Sequence, residues 1–495
     1  MRTIPHPHPR PLHEGRCPKG LARTSILIAI CAAWSTAVSG TAFAQQVPAS
    51  PSPPEQSLPA PSASPSAQPT ANPSFGALGG LGGARQKWLD HGISLYGRYV
   101  GEFAANGNGG FQRGSAYASE FQLGLDFDFA KMLKSSAGTL HFIFTERWGS
   151  GLSSNAIGNI GSVQEIYGDA LTPRLTELAY EQSLDRGRIN VVAGRVIMQN
   201  DFAASSQYWG TNLWCLYQSN AICGTPVGAP NNSGYGYYPS SQWGARVKAS
   251  PSSSFYAESG LYQADPTYAQ RGQGFNLGFN GSTGVMIPFE AGVKFRDKNG
   301  MQRGNLRVGG YYDTSDVRTA QASIANYVPA TSPVAGVLPA TTYRGRSGGW
   351  ILADALLGGS AQAGKTGTAL FASYEYGDPQ TALISNFIDG GIVRHGTFRG
   401  RPNDTLALGF DYIELNPRLR TLEQSLQRAG YAVPLNVEET ALELNYSVAV
   451  NPWLTIRPGL QYVFHPAGES AIVYPGGFTG LGNAMVYGLG LYTSF

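Results

Sequence analysis

The side chains able to do chemistry in this chain fall two or four residues apart within segments of alternating polarity. Arg98 and Glu102 share one face of a segment whose other face carries Ile93, Leu95, Tyr99 and Phe103. Glu177 and Glu181 repeat that spacing, Arg246 and Lys248 lie two apart, and Glu290 interrupts an apolar run. Glu443 and Arg457 occupy similar places near the end of the chain. Residues two or four apart point to the same side of a β-strand. Guanidinium donors and carboxylate acceptors on one face offer directed hydrogen bonds to hydroxyl groups, and the 26 Tyr and 22 Phe offer flat faces for C–H surfaces. Two readings follow. The charges serve neutral, hydroxyl-rich solutes, or they satisfy one another and stiffen a wall. An anion-selective surface would need an excess of Arg and Lys on these faces, which is not seen.

Catalysis finds little support. The chain has no G-x-S-x-G and no H-E-x-x-H. His91 and His465 lie outside the regular segments, His395 sits in a less regular one, and only His141 is a candidate for an inner face. With 32 Asp and Glu, a pair of carboxylates at glycosidase spacing arises by chance. No enzymatic activity, cofactor or metal is expected. Cys215 and Cys223 form a closely spaced pair in a chain with an export signal, which predicts one loop disulfide. No His or second thiol pair lies nearby to make them a zinc site.

The elements that position these groups are strands. Phe121, Leu123, Leu125, Phe127 and Phe129 interleave with Gln122, Gly124, Asp126 and Asp128, and comparable rows run through 404–413, 439–449 and 453–464. Each is about ten residues long, enough to cross a bilayer at a tilt. The last segment alternates Met485, Tyr487, Leu489, Leu491, Thr493 and Phe495 with small or hydroxyl residues, as the closing strand of an outer-membrane barrel would. Phe495 is the expected signal read by the barrel assembly machinery. Strands are placed near 93–103, 119–129, 138–148, 174–184, 187–197, 241–250, 254–263, 284–296, 304–314, 348–358, 366–376, 386–396, 404–413, 439–449, 453–464 and 484–495. The fold class is therefore all-β, a transmembrane antiparallel barrel of about sixteen strands, with short periplasmic turns and long extracellular loops. Helical spacing of Leu419, Leu422 and Leu426 predicts a helix within the outer loop 414–438, and a further short helix is expected over Ala84 to His91. A charge facing lipid at mid-membrane costs about 2–4 kcal/mol, so the charged faces belong to the lumen. Sixteen strands leave that lumen wide enough for an aqueous channel.

Ahead of the barrel, residues 1–44 read as a secretory signal peptide: basic residues, the apolar run from Ser25 to Trp34, then Ala42-Phe43-Ala44. Residues 45–83 are a Pro-, Ser- and Ala-rich, then Gly-rich, linker, and 84–495 the barrel domain. The formal net charge is +3, and five basic residues and one acid leave with the leader, so the mature chain carries about −1. The basic balance belongs to export and argues against a nucleic-acid partner. A TonB-dependent transporter, with about 22 strands and a plug, would need a longer chain.

An ordered series of stretches resembles the carbohydrate-selective porins of the OprB type. It runs from Arg174 to Gln182, through Ala193-Gly-Arg-Val196 leading to Asn200-Asp-Phe-Ala203, and on to Cys215 to Cys223-Gly-Thr-Pro226 and Trp243 to Val247. Gly309 to Ser315, Leu352-Ala-Asp354, Gly400 to Asp404 and Asn451 to Gln461 complete it. The resemblance covers roughly 84–495. It implies an integral outer-membrane protein of a Gram-negative bacterium that passes glucose and related neutral sugars passively. It also implies that the cysteine loop folds inward, and that Arg98, Glu102, Glu177, Glu181, Arg195, Arg246 and Glu290 border the constriction. Arg195 shares its parity with Ile189, Val191 and Ala193, so either a bulge re-aims it or it stands above the membrane. Asp354 raises the same question beside Leu352 and Leu356. Gly490 stands where family members often carry Arg, which removes a basic lumen group. A general diffusion porin without sugar preference is the alternative, and a homotrimer and a monomer both stay open.

Overall fold

A computed structural model describes residues 76–168, 171–204, 215–222, 228–323, 341–359, 366–428, 430, 434–468, 473–474, 478–479 and 481–495. The expected signal peptide, and the linker up to 75, lie outside the described residues. Among the described residues no helix is long and apolar enough to cross a membrane. Strands do the crossing.

The barrel strands are β1 Ile93–Gly110, β2 Gly114–Asp128, β3 Thr139–Gly149, β4 Arg174–Leu184, β5 Ile189–Val196 and β6 Gln242–Ser252. Next come β7 Phe255–Ala264, β8 Gly284–Arg296, β9 Gln302–Arg318, β10 Thr342–Gly359 and β11 Gly367–Gly377. The wall is completed by β12 Ile384–His395, β13 Thr405–Leu415, β14 Glu438–Asn451, β15 Leu454–Phe464 and β16 Gly482–Ser494. Each pairs antiparallel with its neighbours in sequence, and β1 pairs with β16 to close the cylinder. All sixteen expected strands are present. β1, β9 and β10 run well past the expected lengths, so the outer hairpins rise above the membrane and the loop expected at 315–347 shrinks to 319–341. The two predicted helices form as α1 Ala84–Asp90 and α2 Pro417–Arg428.

Alternation decides which way each side chain faces. Leu261, Phe289, Val308, Leu408 and Leu489 stand exposed on the outer surface, while Glu290, Asp411 and Glu443 on the intervening positions are buried within. This inverts a soluble protein's arrangement and suits lipid outside. Leu352 and Leu356 break the simple rule. They face inward with Asp354, and Leu352 packs beneath loop residues such as Phe202 and Tyr235. The difficulty over Asp354 therefore disappears, because its apolar neighbours mark a packed lumen wall.

The seam is made at the C-terminus. Phe495 and Gly97 exchange backbone hydrogen bonds at 2.9 Å each. The Phe495 ring stacks on Phe121 at 5.6 Å and covers the place where any side chain at position 97 would stand.

Candidate functional site

The lumen is occupied by its own outer loops. The segment 150–168 after β3, and residues 197–204, 215–222 and 228–241 after β5, are buried inside the barrel. Backbone N–H groups there have no strand ladder to join, and an unmatched buried donor is costly. Wall carboxylates meet that need, since each offers two acceptor oxygens. Glu439 on β14 accepts from the backbone of Ile160 and Gly161, both at 2.7 Å, and of Ala467 at 2.9 Å. Glu443 accepts from Gln218 at 2.8 Å and Ser219 at 2.7 Å. Glu375 on β11 takes Gly228 at 2.9 Å, and Asp313 on β9 takes Gly234 at 2.8 Å. Neutral and cationic groups assist. Asn445 donates to the Leu216 carbonyl at 2.8 Å, Gln461 to Val163 at 3.0 Å, and Arg457 to Cys215. Cys215 is disulfide-bonded, and Cys223, its expected partner, lies outside the described residues.

The seven residues singled out from the sequence divide into three groups. Arg98, Glu177, Glu181 and Arg246 lie on the inner faces of β1, β4 and β6. Arg98 pairs with Glu120 at 2.9 Å beside the Tyr238 ring. Glu181 accepts from Asn190 at 2.7 Å and contacts His141 at 3.2 Å, while Arg246 binds Asp201 at 2.6 Å and also Asn190. Glu177 has His141, Asp126, Asp201 and Glu181 as its charged neighbours.

Glu102 and Glu290 hold loops. Glu102 accepts from the Ile166 backbone at 3.4 Å and faces Arg457 at 3.4 Å. Glu290 is shared by the Ala203 backbone and the Trp350 indole at 2.8 Å each, and by the Tyr256 hydroxyl at 2.6 Å.

Arg195 stands apart from the other six. It pairs in register with Leu178 and Trp243 on the outward row, and its guanidinium lies 4.0 Å over the Tyr268 ring. Tyr268 belongs to the segment 265–283, which lies against the outer surface of the wall: Phe275 stacks on Phe144 and Phe279 on Trp243. A cover, not a lumen, receives Arg195, and the irregular backbone at Gly194 (φ +143°) lets it tuck in.

Sequence reasoning missed several participants. Glu120 bridges Arg98 and Arg147, the latter at 2.7 Å, and also accepts from the Tyr238 hydroxyl at 2.7 Å. Glu120 shares parity with Gln122 and Asp126, and Arg147 with His141, so both were readable by alternation. Tyr238 sits in a loop with no periodicity to reveal it. Gly490 leaves room for the Arg457 guanidinium, which would lie 3.5 Å from any side chain there. On the loop itself, burial pushes the Glu165 carboxyl well above its usual range; nearby Glu102 adds to this and Arg457 opposes it. His141 between Asp126 and Glu181 makes a charge relay in outline. Its hydrogen-bond partners among the described residues are two carboxylates and no nucleophile, as in a wall ion cluster.

A closed sixteen-stranded barrel with an apolar exterior and loops drawn into a charged lumen defines the porin class of outer-membrane channels. The model of the carbohydrate-selective porin, OprB family, matches residues 112–495, and the chain belongs to that family. It is 31% identical over 438 residues to Porin B of Pseudomonas aeruginosa, covering 84% of this chain and 91% of that one. The high-pH structure of Pseudomonas putida OprB superposes with a TM-score of 0.75 at 29% identity, covering 86% of this chain and all of that one. The low-pH structure of the same protein gives 0.52 at 24% identity over 85% of this chain, a likeness of fold. The protein is an integral outer-membrane channel of a Gram-negative bacterium, selective for carbohydrates as its family is, and not an enzyme.

Proposed function

We propose that the barrel passes glucose and related neutral sugars by passive diffusion, through a path narrowed by the two inward loops. The observation that carries this reading is the division of labour among the lumen carboxylates. Those at 102, 290, 439 and 443 are occupied by loop backbone, which sets the width of the path. Arg98, Glu177, Glu181 and Arg246 form a mixed-sign surface on β1, β4 and β6, and they border the route a solute takes. A neutral polyol gains from such a surface because it both donates and accepts, whereas a small ion meets its like charge as often as its opposite. Arg195 contributes from outside by holding the segment 265–283. The leader at 1–44 and the linker at 45–83 deliver the barrel and precede it, and assembly proceeds from the C-terminal strand.

Planar-bilayer recording tests the proposal. Glucose should reduce the ion current of the purified protein in a saturable way, and amino acids of similar size should not. Equal, unsaturable passage of glucose, sucrose and amino acids would make it a general diffusion porin and overturn the sugar preference.

A further inference from the structure

Away from the loop anchors, the inner faces of β6–β9 carry a cation that the network leaves over. Arg246 is met by Asp201 at 2.6 Å. Lys248 is met by Glu258 at 3.1 Å, with its ammonium 4.0 Å from the centre of the Tyr256 ring. Arg307 donates to the Ala204 carbonyl and has Glu290 and Asp354 as charged neighbours. Lys294 makes no ion pair among the described residues. Lys248 on β6, Arg307 on β9 and Arg296 at the end of its own strand act on it as like charges, and Glu258 on β7, which opposes them, already serves Arg246 and Lys248. Three like charges gathered around one lysine are unfavourable unless an anion or water shares the space.

Polar groups beside Lys294 are also unsatisfied. Asn305 stands directly opposite it in the β8–β9 register. The Asn305 amide nitrogen donates to Asp354 at 2.5 Å, which fixes the amide's orientation. That leaves its Oδ1 buried without a hydrogen-bond partner, and the Arg307 Nε nearby is likewise unmatched. Asn305 is 7% exposed, whereas Lys294 and Arg307 are only half-buried. Lys294 lies two residues from the end of β8 at the side of the short turns, below the level of Glu290. The patch therefore offers one free positive charge, one acceptor and one donor close to the periplasmic mouth.

We propose that Lys294, Asn305 and Arg307 form a binding site for singly charged polyhydroxy carboxylates, the sugar acids. The carboxylate is held by Lys294 and the Arg307 Nε, and a ligand hydroxyl donates to the Asn305 Oδ1. One uncompensated charge matches one carboxylate. The hydroxyl contact distinguishes a sugar acid from a simple anion such as acetate. The inference rests on the channel reading above, though not on the preference for neutral sugars.

Gluconate, glucose and acetate are the probes, each applied to the periplasmic side of single channels in a planar bilayer. Gluconate should interrupt the current of the wild-type channel at lower concentration than glucose, with an effect that weakens as salt rises, and acetate should not. Lys294→Gln should weaken gluconate block about tenfold, the order expected for losing one charge-assisted hydrogen bond, while leaving glucose block within about twofold. Lys294→Arg should restore it. Heat-resistant electrophoretic mobility confirms that each variant is folded. Gluconate block that is absent, matched by acetate, or unchanged in Lys294→Gln would overturn the site. Gluconate block without any glucose effect would keep the site and remove the neutral-sugar reading, so the two fail separately.

Discussion

Glu443→Ala is the most direct test of how the lumen is built. Its carboxylate receives the backbone N–H groups of Gln218 and Ser219 and the Asn445 amide, all within 2.8 Å at closest approach. The substitution leaves two buried backbone donors of the loop without an acceptor, while Asn445 on the wall keeps the Leu216 carbonyl. At about 1–3 kcal/mol for each orphaned donor, the loss to loop docking is at least about 2 kcal/mol. That shifts the docked-to-undocked ratio of the 215–222 segment about thirtyfold or more. The cylinder itself should survive, because the β13–β14 and β14–β15 ladders do not use this side chain. Single-channel recording should then show larger and noisier conductance with weaker sugar block, while heat-resistant mobility stays intact. Glu443→Gln keeps one acceptor oxygen and should fall between the two. If conductance and sugar block were unchanged in Glu443→Ala, the anchoring argument would be refuted, because the loop would be held in place by something else.

Other perturbations have equally definite outcomes. Burial raises the Glu165 pKa, so the docked segment 150–168 holds a proton that the free segment gives up near the ordinary glutamate value of about 4.3. Docking strength from this group is full below that value and declines as pH rises toward the raised pKa. Current noise should therefore grow with pH in the wild type, and Glu165→Gln should flatten that dependence; an unaltered pH profile would remove Glu165 from the account. Phe495→Ala removes the ring stacked on Phe121 and over Gly97, so it should slow appearance of the heat-resistant form without changing selectivity. A normal folding rate would show that the seam closes without it.

Most of the barrel was legible because a membrane wall has a strict rule: every second residue meets lipid. That rule located all sixteen strands and the inward setting of Glu290, Glu443 and Arg457. It failed where protein, not lipid or water, covers a face. Leu352 and Leu356 look lipid-facing by type but are buried inside, Leu352 under loop residues. Arg195 looks misplaced on an outward row until the segment 265–283 is seen to cover it with Tyr268. Loop contacts such as Tyr238 with Glu120 link positions 118 residues apart, and no local periodicity records them.

In the proposed reading, stiffening the wall and meeting a solute fall to different residues. A carboxylate that already accepts two backbone donors, as Glu439 and Glu443 do, has little capacity left for a sugar hydroxyl. Its effect on a passing molecule is through the loop it fixes. A group whose partner is a side chain of the wall itself, as Lys248 on β6 has Glu258 on β7, can exchange a contact for a ligand without releasing a loop. The proposal therefore assigns width and recognition to separate sets of residues. Changing the second set should alter which solute is held and leave the open-channel conductance nearly constant.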